Sequence, residues 1–203
     1  YLSYTYKQSL YFPHITIMKK IISLFKRDYE GTRLVYDEIV HGAEWVVAGE
    51  GIATVKWDGT SCMIKAGVLY RRYDAKQGKT PPQGWIEAQE ADPVTGHWPG
   101  WIACQRNNPA DRWHFDALSF GVVPGYDTYE LIGPKVQGNP HKQTEHKLIP
   151  HGQATIPDAP RTFNELKAYF EANPAFEGIV WHHPDGRLVK LKRRDFGLPW
   201  PVK

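Results

Sequence analysis

The chain has 203 residues and a formal net charge of +3, and 41% of its residues are hydrophobic. This composition excludes a disordered chain, indicates a packed core, and permits a polyanionic partner without requiring one. Its two cysteines form neither a zinc pattern nor a disulfide framework, and no apolar run is long enough to span a membrane, so we expect a cytoplasmic setting with no membrane partner.

The first stretch, residues 1–17, lacks an initiator methionine and the basic-then-apolar layout of a signal peptide. Because Met18 opens the following stretch, we expect residues 1–17 to be a non-native or disordered leader; the alternative is an edge strand. No repeat, low-complexity tract or linker divides the rest of the chain. Residues 18–203 are therefore expected to form a single domain.

Strand signals dominate the next part of the chain. Residues 44–57 (EWVVAGEGIATVKW) are rich in Val, Ile and Trp and broken by glycines, which predicts strand, bend, strand. The Asp-Gly pair at 58–59 predicts a tight hairpin turn, because both residue types tolerate a positive φ. Residues 60–74 (TSCMIKAGVLYRRYD) predict two further strands, joined at positions 66–67.

The second half mixes irregular, helical and strand signals. Residues 76–112 carry many Pro, Gly, Asn and Gln residues and three tryptophans, which predicts a long irregular segment and a candidate lid or RNA-binding surface. Residues 127–133 predict a strand, and residues 161–174 predict a helix that opens with a Thr-x-x-Glu capping box. Pro-Asp-Gly at 184–186 predicts the turn of a second hairpin. Together these elements predict one α+β domain built on antiparallel sheet.

Lys56, just before the Asp-Gly pair, is either a strand residue beside a turn or a nucleophile. A lysine that attacks the α-phosphate of a nucleotide must be neutral, although its ordinary pKa is about 10.4. Nearby cations and burial lower that pKa, and the charge that develops on phosphate needs metal-binding carboxylates and fixed cations. A nucleophilic Lys56 therefore predicts acidic residues at strand ends and basic residues that face the phosphate.

The chain supplies both kinds of residue. Glu130 interrupts the apolar stretch YELIG and Glu177 opens EGIVW, and carboxylates are unusual in such places without a function. Lys190 and Lys192 alternate with apolar residues in LVKLK, which places both lysines on one face of a strand. Two neighbouring cations repel each other unless an anion lies between them.

These stretches carry a family resemblance. The Lys-x-Asp-Gly at 56–59, Arg72, YELIG, EGIVW and LVKLK follow the order of motifs I, Ia, III, IV and V of the covalent nucleotidyltransferases, and the chain resembles that superfamily of ATP-dependent ligases and mRNA capping enzymes. From about residue 50 onward, GHWPGW, YELIGPKVQGNPHK, LIPHG and EGIVWHHPDGRLVKLKRRDFGLPWPV are most similar to the vertebrate-type stand-alone 5′-to-3′ RNA ligases. Val55 departs from their pattern, in which an acidic residue precedes the lysine.

The resemblance implies an antiparallel-sheet nucleotidyltransferase domain with an ATP-grasp-like adenylation core. No OB-fold domain is expected, because eleven residues follow Lys192. The implied activity is an ATP-dependent RNA ligase that uses Mg²⁺ or Mn²⁺ and joins 5′-phosphate and 3′-hydroxyl RNA ends through lysyl-AMP and RNA-adenylate, with tRNA repair as an analogous use and no obligate protein partner. The alternatives are another lysyl-AMP transferase, of DNA ligase or capping type, and a catalytically inert RNA-binding relative.

The resemblance also implies roles around the first motif. Lys56 would form the lysyl-AMP, and Gly59 would let the backbone approach the nucleotide closely. Asp58 would orient the site through a basic partner such as Arg72. Arg72, rather than its neighbour Arg71, would contact the ribose or the phosphate of the acceptor end.

The later motifs carry the remaining implied roles. Glu130 would contact the ribose or a metal-bound water, and Glu177 would bind the metal. Lys190 and Lys192 would hold the α-phosphate. The loop histidines lack zinc spacing and are expected to make ordinary polar contacts or to face RNA. Further RNA contacts are expected from Arg71, Asn139, Arg193 and Arg194.

Overall fold

The structure is a computed structural model that describes residues 21–202. The predicted leader, residues 1–17, lies outside the described residues. Within the described range the chain is α+β with mainly antiparallel strands, which confirms the predicted class. None of the helices in this range is both long enough and apolar enough to cross a membrane.

The strands are short and the helices few. In chain order the strands are β1 (Ile22–Ser23), β2 (Phe25–Arg27), β3 (Val35–Ile39), β4 (Ile52–Lys56), β5 (Thr60–Lys65), β6 (Val68–Lys76), β7 (Ile86–Glu87), β8 (His97–Ala103), β9 (Thr128–Ile132), β10 (Lys147–Pro150), β11 (Gly178–His182) and β12 (Leu188–Lys192). The helices are α1 (Glu44–Val47), α2 (Arg112–Ser119) and α3 (Phe163–Ala172), with short 3-10 helices at Pro109–Asp111 and Arg193–Phe196.

The first sheet has four strands in the order β1-β12-β11-β4. Its strands pair antiparallel except for β1, which runs parallel to β12. Apolar side chains such as Ile179 and Leu191 project from this sheet onto Leu166 and Phe170 of α3. The period-2 pattern of β12 follows from this packing, because its apolar residues enter the core and its lysines face away.

The second sheet has six strands in the order β10-β9-β5-β6-β8-β7, all antiparallel. One face packs Cys62, Tyr129 and Leu131 against Ala117 of α2. The strands β2 and β3 form a separate two-stranded ribbon. The two larger sheets therefore have separate cores, and the chain crosses from one to the other between β4 and β5.

This crossing contradicts the predicted hairpin at 58–59. The strands β4 and β5 do not pair with each other, since Lys56 pairs with Gly178 in the first sheet and Thr60 pairs with Leu131 in the second. Neither Asp58 nor Gly59 has a positive φ. Gly59 is required for a different reason, because a Cβ atom there would lie 2.1 Å from the Leu131 carbonyl oxygen.

Other local predictions have mixed outcomes. The turn at 66–67 is confirmed, with φ of 49° at Ala66 and 76° at Gly67, and so is the hairpin of β11 and β12. The predicted helix at 161–174 is confirmed as α3, although the Thr162 hydroxyl bonds the Glu165 carboxylate at 2.7 Å instead of the backbone.

Two predictions about the first 120 residues are wrong, and one helix in that range was not predicted. Residues 44–47 form α1 rather than a strand, because Trp45 and Val46 enter the core from one helical turn. The segment 76–112 contains the seven-residue strand β8, whose pairing with β6 outweighs its proline and glycine content. The helix α2 gave no clear signal, because its apolar face is short and interrupted by charged residues.

Candidate active site

Three lysines share one face of the first sheet. Gly178 of β11 pairs with Lys56 on one side and with Lys192 on the other. Val180, two residues along, pairs with Lys190. Because directly paired residues and alternate residues lie on the same face of a sheet, all three lysines project from that face. No side chain at Gly178 separates Lys56 from Lys192.

Glu177 places a carboxylate among these lysines. It lies one residue before β11, and only 8% of its surface is exposed. Its Oε2 atom forms an ion pair with the Lys56 ammonium, and its backbone carbonyl accepts a hydrogen bond of 2.9 Å from the Arg193 N–H. Burial and the backbone bond therefore fix this carboxylate at the end of β4, where Lys56 also lies.

The charge around Lys190 is unbalanced. Burial lowers the pKa of Lys190, and the nearby cations Lys192 and Lys56 lower it further, while Asp195 and Glu177 oppose that effect. The same face therefore holds more cationic than anionic groups. Such a cluster binds a phosphate group favourably, because the anion offsets the mutual repulsion of the lysines.

Glu130 anchors the other end of the crossing. Its Oε1 atom accepts a hydrogen bond of 3.0 Å from the Gly59 N–H, and its Oε2 atom lies 3.1 Å from the Ser61 hydroxyl. The Nε2 atom of His151 lies 3.0 Å from the same Oε2. Glu130 of β9 thus holds the chain directly after Lys56, and three protein groups already surround its carboxylate.

Asp58 has two partners that the sequence did not indicate. Its carboxylate Oδ2 accepts a hydrogen bond of 2.8 Å from the Trp200 indole N–H. Its backbone N–H donates to His141 Nε2 at 2.9 Å. The predicted pairing with Arg72 is wrong, because Arg72 donates to Asp74 at 2.7 Å, two residues along the same strand.

Arg71 and Arg72 project from opposite faces of β6, because they are consecutive residues of one strand. Cys62 pairs with Arg71, and Ser61 pairs with Glu130, so alternation places Arg72 on the face of Ser61 and Glu130. Arg71 lies on the opposite face, where its Nε atom is 2.8 Å from the carboxylate of buried Asp111. The Arg71 guanidinium is engaged in this ion pair, and its expected RNA contact stays a prediction.

The Arg71 ion pair belongs to a cluster with metal-ligating side chains. Cys104, Asp111 and His114 bring their ligand atoms within 4.8 Å of one another. The guanidinium of Arg71 already neutralises Asp111 and opposes a divalent cation at this place. Burial also raises the pKa of the Cys104 thiol to about 12, which disfavours the thiolate that a metal would bind. We assign no metal here.

Two other predicted RNA contacts occupy structural positions. The Asn139 side chain bonds the Gln143 backbone in both directions, at 2.9 and 2.8 Å, and so closes a loop. Arg193 is 3% exposed and donates to the carbonyls of Phe170 and Asn173 at the end of α3. The prediction for Arg193 is wrong, because its charge is buried against backbone oxygens.

Arg194 differs from its neighbour Arg193. It is exposed, and its guanidinium donates to the Trp200 carbonyl at 3.1 Å through Nε and at 2.6 Å through Nη2. Sequence reasoning missed Trp200, His141 and His151 as neighbours of the first motif. The stretches QGNPHK, LIPHG and GLPWP contained them, but nothing in their composition indicated which distant residue each would contact.

Comparisons with known proteins now decide the family. A family model described as RNA ligase 1 matches residues 123–203. RNA ligase 1 of Pongo abelii is 32% identical in an alignment that covers 87% of this chain and 77% of that protein. RNA ligase 1 of Rattus norvegicus is 34% identical, with coverage of 74% and 69%. The chain belongs to the RNA ligase 1 family.

The segment matched by the RNA ligase 1 model contains most of the site. It includes Glu130, Glu177, Lys190 and Lys192. Lys56 lies outside this segment and joins it through the pairing of β4 with β11. RNA ligase 1 of Danio rerio is 32% identical over 60% of this chain and 50% of that protein.

Proposed function

We propose that this chain is an ATP-dependent RNA ligase that joins 5′-phosphate and 3′-hydroxyl RNA ends. The observation that carries the proposal is the position of Lys56 at the end of β4, on the same sheet face as Lys190 and Lys192. Membership of the RNA ligase 1 family supports the same conclusion. In this proposal the two sheets form a nucleotidyltransferase domain with an ATP-grasp-like adenylation core.

In the first step, Nζ of Lys56 attacks the α-phosphorus of ATP. A P–N bond forms, the bond to the bridging oxygen breaks, pyrophosphate leaves, and the lysine loses a proton. Lys190 and Lys192 offset the charge that builds on the α-phosphate, because they share the face from which Lys56 projects.

In the second step, an oxygen of the RNA 5′-phosphate attacks the phosphorus of the bound AMP. The P–N bond breaks and Lys56 is released. In the third step, the RNA 3′-hydroxyl attacks the 5′-phosphorus, a phosphodiester forms and AMP leaves. Arg72 lies on the Glu130 face of the second sheet and is the proposed contact for the acceptor end. In all three steps the protein mainly positions the reacting groups.

The carboxylates differ in how well they fit Mg²⁺ or Mn²⁺. Glu177 fits best, since it is buried beside Lys56 and only its Oε2 atom has a partner among the described residues. Glu130 fits less well, because Gly59, Ser61 and His151 already surround its two oxygens. A divalent cation at Glu177 would neutralise phosphate charge and compete with the Lys56 ammonium for the carboxylate. Glu130 is better suited to contact the ribose or a water of the cation.

The proposed substrate is an RNA with a break or two free ends. Repair of cleaved tRNA or of another structured RNA in the cytoplasm is the biological use that we propose by analogy. The segment 76–112, which includes β8 and its tryptophans, is the proposed surface for the RNA. Deletion of exposed residues from this segment should weaken RNA binding more than it slows the adenylylation of Lys56.

Two assays test the proposal. Incubation with α-labelled ATP and Mg²⁺ should label the protein, and Lys56→Ala should abolish the label. Lys65→Ala is the matched control, because Lys65 ends β5 with an exposed side chain. A nicked RNA hairpin with 5′-phosphate and 3′-hydroxyl ends should then be sealed. If AMP remains on the protein and never reaches RNA, the ligase assignment fails, and the chain is instead another kind of lysyl-AMP transferase.

A further inference from the structure

We infer that Trp200 and His141 are positioning residues for the nucleophile, because together they hold Asp58 by its carboxylate and by its backbone N–H. This inference rests on the proposed function of Lys56. We call Trp57, His141 and Trp200 the aromatic clamp. None of these three residues was among the expected site residues, and the clamp gives Asp58 a role that differs from the pairing with Arg72.

The clamp is a continuous row of ring contacts, edge-to-face between Trp57 and His141 and tilted between His141 and Trp200. The ring centroids of Trp57 and His141 lie 4.9 Å apart, and those of His141 and Trp200 lie 5.4 Å apart. Trp57 directly follows Lys56, so the first ring of the row is on the nucleophile's own chain segment. Trp200 is 6% exposed, which fixes the donor that reaches Asp58. The hydrogen bond to the Asp58 carboxylate is therefore made from a buried ring.

The clamp is anchored to the strand that carries the other two lysines. The 3-10 helix at Arg193–Phe196 begins directly after Lys192. Arg194 of that helix donates twice to the Trp200 carbonyl, and Arg193 Nε donates to the Pro199 carbonyl at 3.2 Å. A chain of contacts thus runs from Lys192 through Trp200 to Asp58, and it fixes the nucleophile relative to the phosphate-binding lysines.

The second anchor is the loop that carries His141. Asn139 closes this loop through its two bonds to Gln143, and His141 Nε2 accepts from the Asp58 N–H. An accepting Nε2 requires a neutral imidazole, which agrees with the lowering of the His141 pKa by burial. On the far side, Glu130 holds the N–H of Gly59. Side chains from separate parts of the chain therefore hold consecutive backbone groups of the crossing between β4 and β5.

This geometry assigns the clamp to orientation rather than to chemistry. An indole N–H is a neutral donor, so it fixes the Asp58 carboxylate without supplying a charge. A crossing held at two consecutive residues restricts the approach of Lys56 to the α-phosphorus. Small misplacements of a reacting group cost about 100-fold in rate. Loss of one clamp bond should therefore lower the rate of adenylylation while leaving ATP binding nearly unchanged.

Single-turnover adenylylation over a range of ATP concentrations tests this inference. Trp200→Phe keeps a ring but removes the donor, and we expect about a tenfold lower maximal rate with less than a twofold change in the half-saturating ATP concentration. Trp113→Phe, on α2 and stacked on His146, is the matched control and should react at the wild-type rate. An unchanged maximal rate in Trp200→Phe would overturn the inference.

A double-mutant comparison separates positioning from general loss of packing. If Trp200 acts through Asp58, the variant Asp58→Ala with Trp200→Phe should react no more slowly than Asp58→Ala alone. If the rate losses of the two single variants multiply in the double variant, Trp200 acts independently of Asp58. Hydrogen exchange of residues 57–59 supplies a readout that needs no activity and should be faster in Trp200→Phe. If the wild type takes no label from ATP, the proposed function fails, and the exchange rates still decide whether the clamp holds residues 57–59.

Discussion

The ammonium of Lys56 forms an ion pair with the carboxylate of Glu177. The pairing occupies the Nζ atom that the proposed attack on ATP requires. A divalent cation at Glu177, as proposed above, would free Nζ, because it would replace the ammonium as the partner of the carboxylate. In the proposed mechanism Glu177 is therefore the residue that would couple metal binding to Lys56.

Glu177→Gln tests this coupling. The amide is nearly isosteric but binds a divalent cation weakly, so we expect the rate of adenylylation at saturating Mg²⁺ to fall about 100-fold. The response of the remaining activity to Mg²⁺ concentration should shift to higher values. Glu165→Gln, which alters an exposed carboxylate on α3, should leave both quantities unchanged. A Glu177→Gln variant with the wild-type Mg²⁺ response would show that another group binds the metal.

Lys190→Met should separate activity from stability. Burial and the charges of Lys192 and Lys56 lower the pKa of Lys190, so its charge destabilises the folded protein near neutral pH. We expect the free energy of unfolding to rise by about 1 kcal/mol, while adenylylation falls at least about 100-fold. Urea denaturation at pH 7 and single-turnover labelling measure the two effects. A parallel fall in stability and activity would mean that Lys190 serves the fold rather than the phosphate.

His182 gives a pH dependence of stability. Burial lowers its pKa from 6.5 to about 4, with a smaller contribution from nearby His151. Between these two values the unfolded chain takes up a proton that the folded protein excludes, so stability falls as the pH drops from about 6.5 to about 4. The loss attributable to this residue is of the order of 3 kcal/mol.

Denaturant unfolding from pH 7 to pH 4 checks this expectation. His182→Gln keeps a group able to bond the Thr54 hydroxyl, which lies 3.0 Å from His182 Nε2, but removes the titration. The variant should lose less stability than the wild type over this range. Equal losses in the two proteins would assign the acid sensitivity to other groups.

Gly59→Ala tests the structural reason for the glycine. A Cβ atom at this position would lie 2.1 Å from the Leu131 carbonyl oxygen, so the crossing between the sheets must shift. We expect a loss of roughly 3 kcal/mol in the free energy of unfolding. Gly121→Ala is the control, since no atom lies within 4 Å of a Cβ there and only its positive φ opposes the change, at a cost of about 1 kcal/mol. Equal losses of stability in the two variants would contradict the close approach of Gly59 to the Leu131 carbonyl.

Local patterns predicted the parts of the site that depend on one strand. The alternation of apolar residues with Lys190 and Lys192 determined their common face, and the apolar run before Lys56 determined that it ends a strand. The helix α3 followed from the spacing of Leu166 and Phe170. These predictions require only the spacing of apolar residues within one strand or helix, which can be read directly from the sequence.

Nonlocal pairing determined what the sequence could not predict. Asp58-Gly59 has hairpin composition, yet β11 and β9 provide stronger partners for the flanking strands, so the chain crosses between sheets. Trp200 reaches Asp58 from 142 positions away, and no period or spacing encodes that contact. The RNA contact expected of Arg193 failed for the same reason, because the carbonyls that bind it lie at the end of α3.

The most direct test is to map covalent AMP on the protein by mass spectrometry after incubation with ATP and Mg²⁺. We predict AMP on the peptide that contains Lys56, attached through Nζ, and its disappearance when 5′-phosphorylated nicked RNA is added. Lys65, on the exposed end of β5, should remain unmodified. AMP attached to a different residue, or RNA sealing by a Lys56→Ala variant, would contradict the assignment of Lys56 as the nucleophile.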